Sequence, residues 1–115
     1  MFNHCTLIGR TTKDASLRQT NTTKIDVTNL VLAVNRPRKK DEEPQVDFIP
    51  IVIFGDTVKN VVKHVGKGSI IAVDARVQVR AIDKGDGTKD WKTEIVTNYV
   101  IYLDLKKPGQ DEENK

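Results

Sequence analysis

Five side chains in this sequence are of types suited to holding a flat, charged ligand: Phe48, Phe54, Arg76, Arg80 and Trp91. Aromatic residues make up only 5% of the chain, so the places where they fall carry information. Phe48 and Phe54 lie six residues apart in an apolar run, which in an extended chain puts both on one face. Arg76 and Arg80 share a face with Gln78 in the same way. Trp91 follows a lysine-rich loop and stands between Asp90 and Lys92, where a large indole is difficult to bury. Aromatic faces take stacked bases at about 1–3 kcal/mol each without regard to base identity, and guanidinium groups hold phosphates. The competing reading buries both phenylalanines and leaves the arginines on an ordinary solvated face. Periodicity keeps it open, because the Phe48 face (Val46, Pro50, Val52) and the opposite face (Ile49, Ile51, Ile53) are both apolar.

Groupings that catalyse reactions are not legible. His4 and His64 have no Cys or carboxylate at metal-ligand spacing, and Asp26, Asp74 and Glu94 are isolated carboxylates. Gly85-Asp86-Gly87 lacks the rest of a phosphate-binding loop and precedes a strand where that motif needs a helix. No enzyme, metal or cofactor is expected. The net charge of +3 leans toward polyanionic partners, but so small an excess makes its distribution the better guide. Lys39 and Lys40 are answered at once by Asp41, Glu42 and Glu43, which reads as a self-neutralising loop. The longest apolar run, Ile49 to Phe54, is far too short to cross a bilayer, and residues 1–10 lack a secretory layout. A cytoplasmic protein without membrane association is expected, with Cys5 as a buried, inert thiol.

The elements that must position these residues are mostly strands. Asn3 to Arg10 reads as a first strand, Ser16 to Thr20 as a short continuation and Asn21-Thr22-Thr23 as a hairpin connection. Lys24 to Arg36 forms a long second strand, Arg36 to Gln45 a proline-bounded loop, and Val46 to Gly55 a third strand. Pro50 removes a ladder hydrogen bond, so that strand must bulge or lie at an edge there. Val58, Val61, Val62 and Val65 mark one helix, capped by Asp56 or Thr57 and ended by Gly66. Ser69 to Asp83 is a fourth strand with Ile71, Val73, Ala75, Val77, Val79 and Ala81 on one face. A glycine-containing loop, Lys84 to Lys89, leads to the last strand, Trp91 to Leu105, whose Tyr99 and Tyr102 read as one surface and one core residue. The order predicts an all-β, five-stranded Greek-key barrel, the OB-fold, with one helix between strands three and four and a long projecting hairpin. Residues 1–105 make the domain, and residues 106–115 a polar, disordered tail.

Leu7-Ile8-Gly9-Arg10, Thr12-Lys13-Asp14, Leu17-Arg18, Leu32-Ala33-Val34-Asn35-Arg36, the run Asp47 to Gly55, Lys67-Gly68-Ser69 and Thr93-Glu94-Ile95-Val96 together resemble the bacterial and phage single-stranded DNA-binding protein family. The resemblance implies a homotetramer whose dimers pair their first strands, and base stacking on Phe48 and Phe54. It implies an aromatic contact at Trp91, and basic or polar contacts at Arg18, Lys67, Arg76 and Arg80 along the DNA path. The chain departs from the family where Arg38 replaces a frequent Trp or Phe, and where Ile82 replaces a frequent Trp or Tyr. Arg38 offers guanidinium stacking or phosphate contact instead. Weaker binding per site with a larger salt-dependent share follows as an expectation. The acidic end, Asp111-Glu112-Glu113-Asn114-Lys115, lacks the long linker and terminal Phe through which typical members recruit enzymes, so tail-mediated recruitment is not expected. The resemblance implies sequence-independent coating of single-stranded DNA in replication, recombination and repair. A protein–protein adaptor of the same fold in replication restart is the alternative; its mark is Phe48 and Phe54 buried against protein. A nuclease of this fold lacks its cluster of acidic metal ligands.

Overall fold

The alternation of Val, Ile and Leu with polar residues that marks the strands becomes a closed sheet in the computed structural model, which describes residues 1–20 and 22–109. The elements are β1 (Cys5–Thr11), β2 (Arg18–Gln19), β3 (Asp26–Asn35), β4 (Val46–Phe54), α1 (Thr57–His64), β5 (Ile70–Asp83) and β6 (Lys89–Asp104). Neighbouring strands run in the order β1-β5-β6-β4-β3-β2, and β1 pairs with β3 to close the ring. Closure is made at Arg10↔Ala33 and Thr11↔Leu32, while β4 meets β6 in parallel at Ile51↔Ile95 through Ile53↔Thr97. The five long strands are those expected; β2 is the short continuation after β1. Of the expected hairpin connection, Asn21 lies outside the described residues.

Leu30, Leu32, Ile51, Ile53, Ile71 and Val73 fill the barrel with essentially no exposure. Each such side chain stabilises by about 1.5–3 kcal/mol relative to solvent. Of the two apolar faces of β4, the isoleucine face is therefore the inner one. Pro50 is accommodated without a bulge. The Val31 carbonyl accepts the Thr12 N–H at 3.2 Å and so points away from Pro50, its partner on β4. Pro50 thus occupies a pair that asks for no ladder hydrogen bond from it, just before the β6 pairing begins at Ile51.

Helix α1 contains six weak helix formers in eight residues, an intrinsic cost of at most about 4 kcal/mol. Val58, Val61 and Val65 are fully buried against the barrel, and burial of three valines offsets that cost. Asp56 sits at the N-cap without a side-chain hydrogen bond, and the helix ends at Val65 in extended backbone. Gly66 does not terminate it through a left-handed turn, as the sequence suggested. Its requirement is space: a Cβ there stands 2.5 Å from the Lys107 carbonyl oxygen. The Gly66 N–H donates to the Lys106 carbonyl at 2.7 Å, the Lys106 N–H to Ser69 Oγ at 2.9 Å, and the Gly109 N–H to Asp14 Oδ2 at 3.0 Å. The polar segment expected to be disordered from Lys106 is thus tied to the barrel as far as Gly109; residues 110–115 lie outside the described residues.

β5 and β6 outrun the barrel. Ile71, Val73 and Ala75 are buried, but Val77 and Val79, on the same face, are exposed on a two-stranded arm. Asn98 is an extra residue in β6 opposite the Asp74–Ala75 step, a bulge where the arm leaves the barrel. The Asn3 side chain bonds both the N–H and the carbonyl of Val77, covering the open edge of β5. Cys5 is half-buried on β1 rather than sealed in the core. Tyr99 and Tyr102 are both exposed, so neither is the core residue that their opposite faces suggested; Tyr102 sits at the barrel end against His64.

Candidate nucleic-acid interface

Strand register assembles one outer surface from β3, β4, β6 and β5. Phe48 lies opposite Ala33, Pro50 opposite Val31, and Val52 opposite Asn29 on one side and Val96 on the other. The surface continues through Val96↔Arg76, Glu94↔Gln78 and Lys92↔Arg80 onto the arm. Phe48 is 65% exposed and Phe54 45%, so the two rings stand on the solvent side. Large aromatics left open on one sheet face, beside arginines, are what a stacking ligand requires.

The arginines are aimed by neighbours. Arg76 donates to Asn98 Oδ1 at 2.7 Å, so the bulge residue orients it. Arg18, on β2, donates to Asn29 Oδ1 at 3.2 Å and thereby joins the same face. Arg80 grips Glu94 through two N–H groups at 3.2 and 3.0 Å. A guanidinium carries five N–H donors, so each of these retains donors for a phosphate. Between β3, β4 and β6 lies a cleft of about 180 Å3, walled by Val31 and Pro50 and bordered by Lys13, Asn29, Lys92 and Glu94. The sequence reading missed these four polar residues as site members. Lys92 and Glu94 were discoverable from alternation with Arg80 once the hairpin register was known. Lys13 and Asn29 had no comparable signal.

Three of the residues singled out in the sequence do not join this surface. Arg38 donates to the Glu42 carbonyl at 2.9 Å within its own loop. Lys67 lies at the barrel end, its backbone N–H bound to Asp14. Trp91 is 67% exposed, but it pairs with Ala81 and lies on the reverse of the arm, with Val77 and Val79. Ile82, by contrast, is on the arginine side.

The base of the β3–β4 loop is clamped next to Phe48. Arg36 meets Asp47 through two hydrogen bonds at 2.9 and 2.8 Å and Gln45 through a third at 2.7 Å. The Arg36 hydrogen bonds hold the Asp47 carboxyl below its ordinary range. A depressed folded value means that the clamp is complete above the unfolded Asp value of about 3.9 and is lost as pH falls through the folded value. In an NMR pH titration the Asp47 carboxyl is expected to protonate below the ordinary aspartate value of about 3.9, with the Arg36 side-chain resonances shifting in step. Among the described residues no group of three or more His, Cys, Asp or Glu is placed to hold a metal ion, and His4 is committed to Asp74 at 2.9 Å. No helix is long and apolar enough to cross a membrane among those residues.

An all-β barrel closed by the β1–β3 pairing and containing one parallel contact, capped by a helix between its third and fourth long strands and open on one aromatic and arginine-lined face, is an oligonucleotide-binding barrel. The chain belongs to the single-strand binding protein family, whose model matches residues 2–103. It is 39% identical over 103 residues to the single-stranded DNA-binding protein of Clostridium tetani, covering 90% of this chain and 71% of that one. Single-stranded DNA-binding protein 1 of Clostridium acetobutylicum is 40% identical over 107 residues, with coverage of 92% and 97%. Among solved structures, a Plasmodium falciparum SSB in complex with ssDNA matches at a TM-score of 0.73 and 25% identity, over 90% of this chain and 97% of that one.

Proposed function

We propose that this protein binds and protects single-stranded DNA without catalysing a reaction, in replication, recombination and repair. The observation that carries the reading is one face on which Phe48 and Phe54 stand open beside Arg18, Arg76 and Arg80. Bases stack on the phenylalanines, and phosphates run along the arginines toward the arm. Arg38 and Lys67 add attraction at a distance. Trp91 is reached by a strand that passes round the arm edge. Family membership and the likeness to an SSB–ssDNA complex support the same reading.

Self-association into a homotetramer is part of the proposal. Residues Cys5 to Gly9 of β1 pair only with β5, which leaves their other edge open among the described residues, with Ile8 exposed beside it. An open edge of this kind pairs readily with a second copy.

The test is a titration of labelled oligo-dT followed by polarisation, repeated across a salt series, with Trp91 fluorescence read in parallel. With Ile82 offering no ring, phosphate contacts carry a large share of the affinity. A plot of log affinity against log salt should fall with a slope of about −2 to −4 per subunit, as three to five neutralised phosphates require. Binding that ignores salt defeats the phosphate assignment. No binding at low salt defeats the reading and turns attention to the adaptor alternative.

A further inference from the structure

The cleft between β3, β4 and β6 has a chemistry that uniform stacking does not need. At about 180 Å3 it holds roughly six waters by liquid volume, the scale of one heterocyclic base. Its walls, Val31 and Pro50, are apolar and adjacent across the β3–β4 ladder. Lys13 and Lys92 stand at its border, where a phosphate flanking an inserted base would pass. Two polar groups sit at opposite sides. On β6 the Glu94 side chain is only 12% exposed, and its carboxylate is pinned by Arg80. On β3 Asn29 accepts from Arg18 through Oδ1. Because arginine can only donate, that contact fixes the amide orientation and leaves the Asn29 NH2 as a donor.

We propose that this cleft is a base-reading subsite, in which Glu94 favours bases that carry an exocyclic amino group and disfavours thymine. The inference rests on the single-stranded DNA-binding reading and specifies which nucleotides the same face prefers. Each Glu94 oxygen keeps a lone pair after bonding Arg80, and cytosine N4, adenine N6 and guanine N2 all offer N–H groups to it. Thymine offers only its N3–H, flanked by two carbonyl oxygens that a carboxylate repels. Of the amino-bearing bases cytosine is the smallest, and its ring acceptors match the Asn29 donor. The preference is superimposed on stacking that accepts every base.

The experiment compares oligo-dC and oligo-dT of equal length, at pH 8 and fixed salt, on the intact protein and on Glu94→Gln. Differences in strand flexibility between the two oligomers cancel when the ratio of affinities is compared between proteins. Glutamine is isosteric, lies outside the core, and presents a donor as well as an acceptor, so it accommodates the thymine O4. The dC/dT affinity ratio is expected to fall about tenfold on substitution, the value of one charged hydrogen bond, in a protein that stays folded at the assay temperature although Arg80 keeps only one of its two bonds to position 94. A ratio that stays within twofold while both proteins bind overturns the subsite and leaves general binding intact. Absence of binding to either oligomer by the unsubstituted protein overturns the functional reading, and the subsite with it.

Discussion

Replacing Phe48 and Phe54 together by alanine is expected to lower affinity for oligo-dT by at least about 25-fold while leaving the melting temperature almost unchanged. Each stacked base is worth about 1–3 kcal/mol, so each single substitution costs about 5- to 150-fold, and the two rings lie far enough apart on β4 to act on different bases. The fold is spared because neither ring fills the interior, which Leu30, Leu32, Ile51 and Ile53 occupy from the other face. Phe48→Leu separates stacking from simple apolar contact: it keeps an aliphatic surface and loses the ring, and should behave nearly as the alanine variant. Polarisation titrations at one salt concentration measure the original protein and these four variants. A double variant that binds within twofold of the original would move the DNA path away from β4 altogether.

The largest effect on stability is expected at Gly9. There β1, paired with β5 as far as Arg10, is about to close the ring against β3, which it meets one residue later. A Cβ at Gly9 meets the Ala33 carbonyl oxygen and Val34 Cγ2 at 2.9 Å each, with Leu32 Cβ at 3.1 Å. The carbonyl belongs to the backbone of β3, which its neighbours Leu32 and Val34 tie to β4, so it cannot move aside without loosening a second strand. Overpacking of this kind costs about 1–3 kcal/mol, and Gly9→Val should reach the upper end because its branches enlarge the clash. For a domain of this size that lowers the melting midpoint by roughly 10 °C or more, with Gly9→Ala falling between. Thermal unfolding followed by circular dichroism reads both. A melting midpoint for Gly9→Val within 2 °C of the original would mean that the barrel closes less tightly at β1 than these distances indicate.

The two variants act on different layers of one design. β4 faces inward with isoleucines and outward with phenylalanines, so a single strand carries both the core and the stacking surface. Glycine at position 9 lets the ring close tightly enough for β3 and β4 to lie flat beneath that surface. Loss of the rings removes binding from a folded protein, whereas loss of the glycine destabilises the platform beneath intact rings.

Much of this was legible in the chain itself. The period of two in each strand, the valine stripe of α1 and the order of elements determined the barrel, because each depends on residues close in sequence. The pairing of Phe48 with Phe54 on one face followed from their even spacing. Which face of β4 lies inside was not legible, since both are apolar and the choice is made by what β3 and β6 bring against it. The arm shows the limit most clearly. Trp91 and Glu94 are three residues apart and so point to opposite sides, but which side carries the arginines depends on the register across residues 84–88. A slip of one residue exchanges the faces, and no local signal sets it. The tertiary structure also decided that Gly66 serves the passage of Lys107 and not the end of a helix. It likewise placed Glu94, isolated in sequence, under Arg80 at the edge of a cleft. Sequence determined the elements and their periodicities through short-range sterics and patterning. Only the packed structure decided which faces meet, because that depends on contacts between residues far apart along the chain.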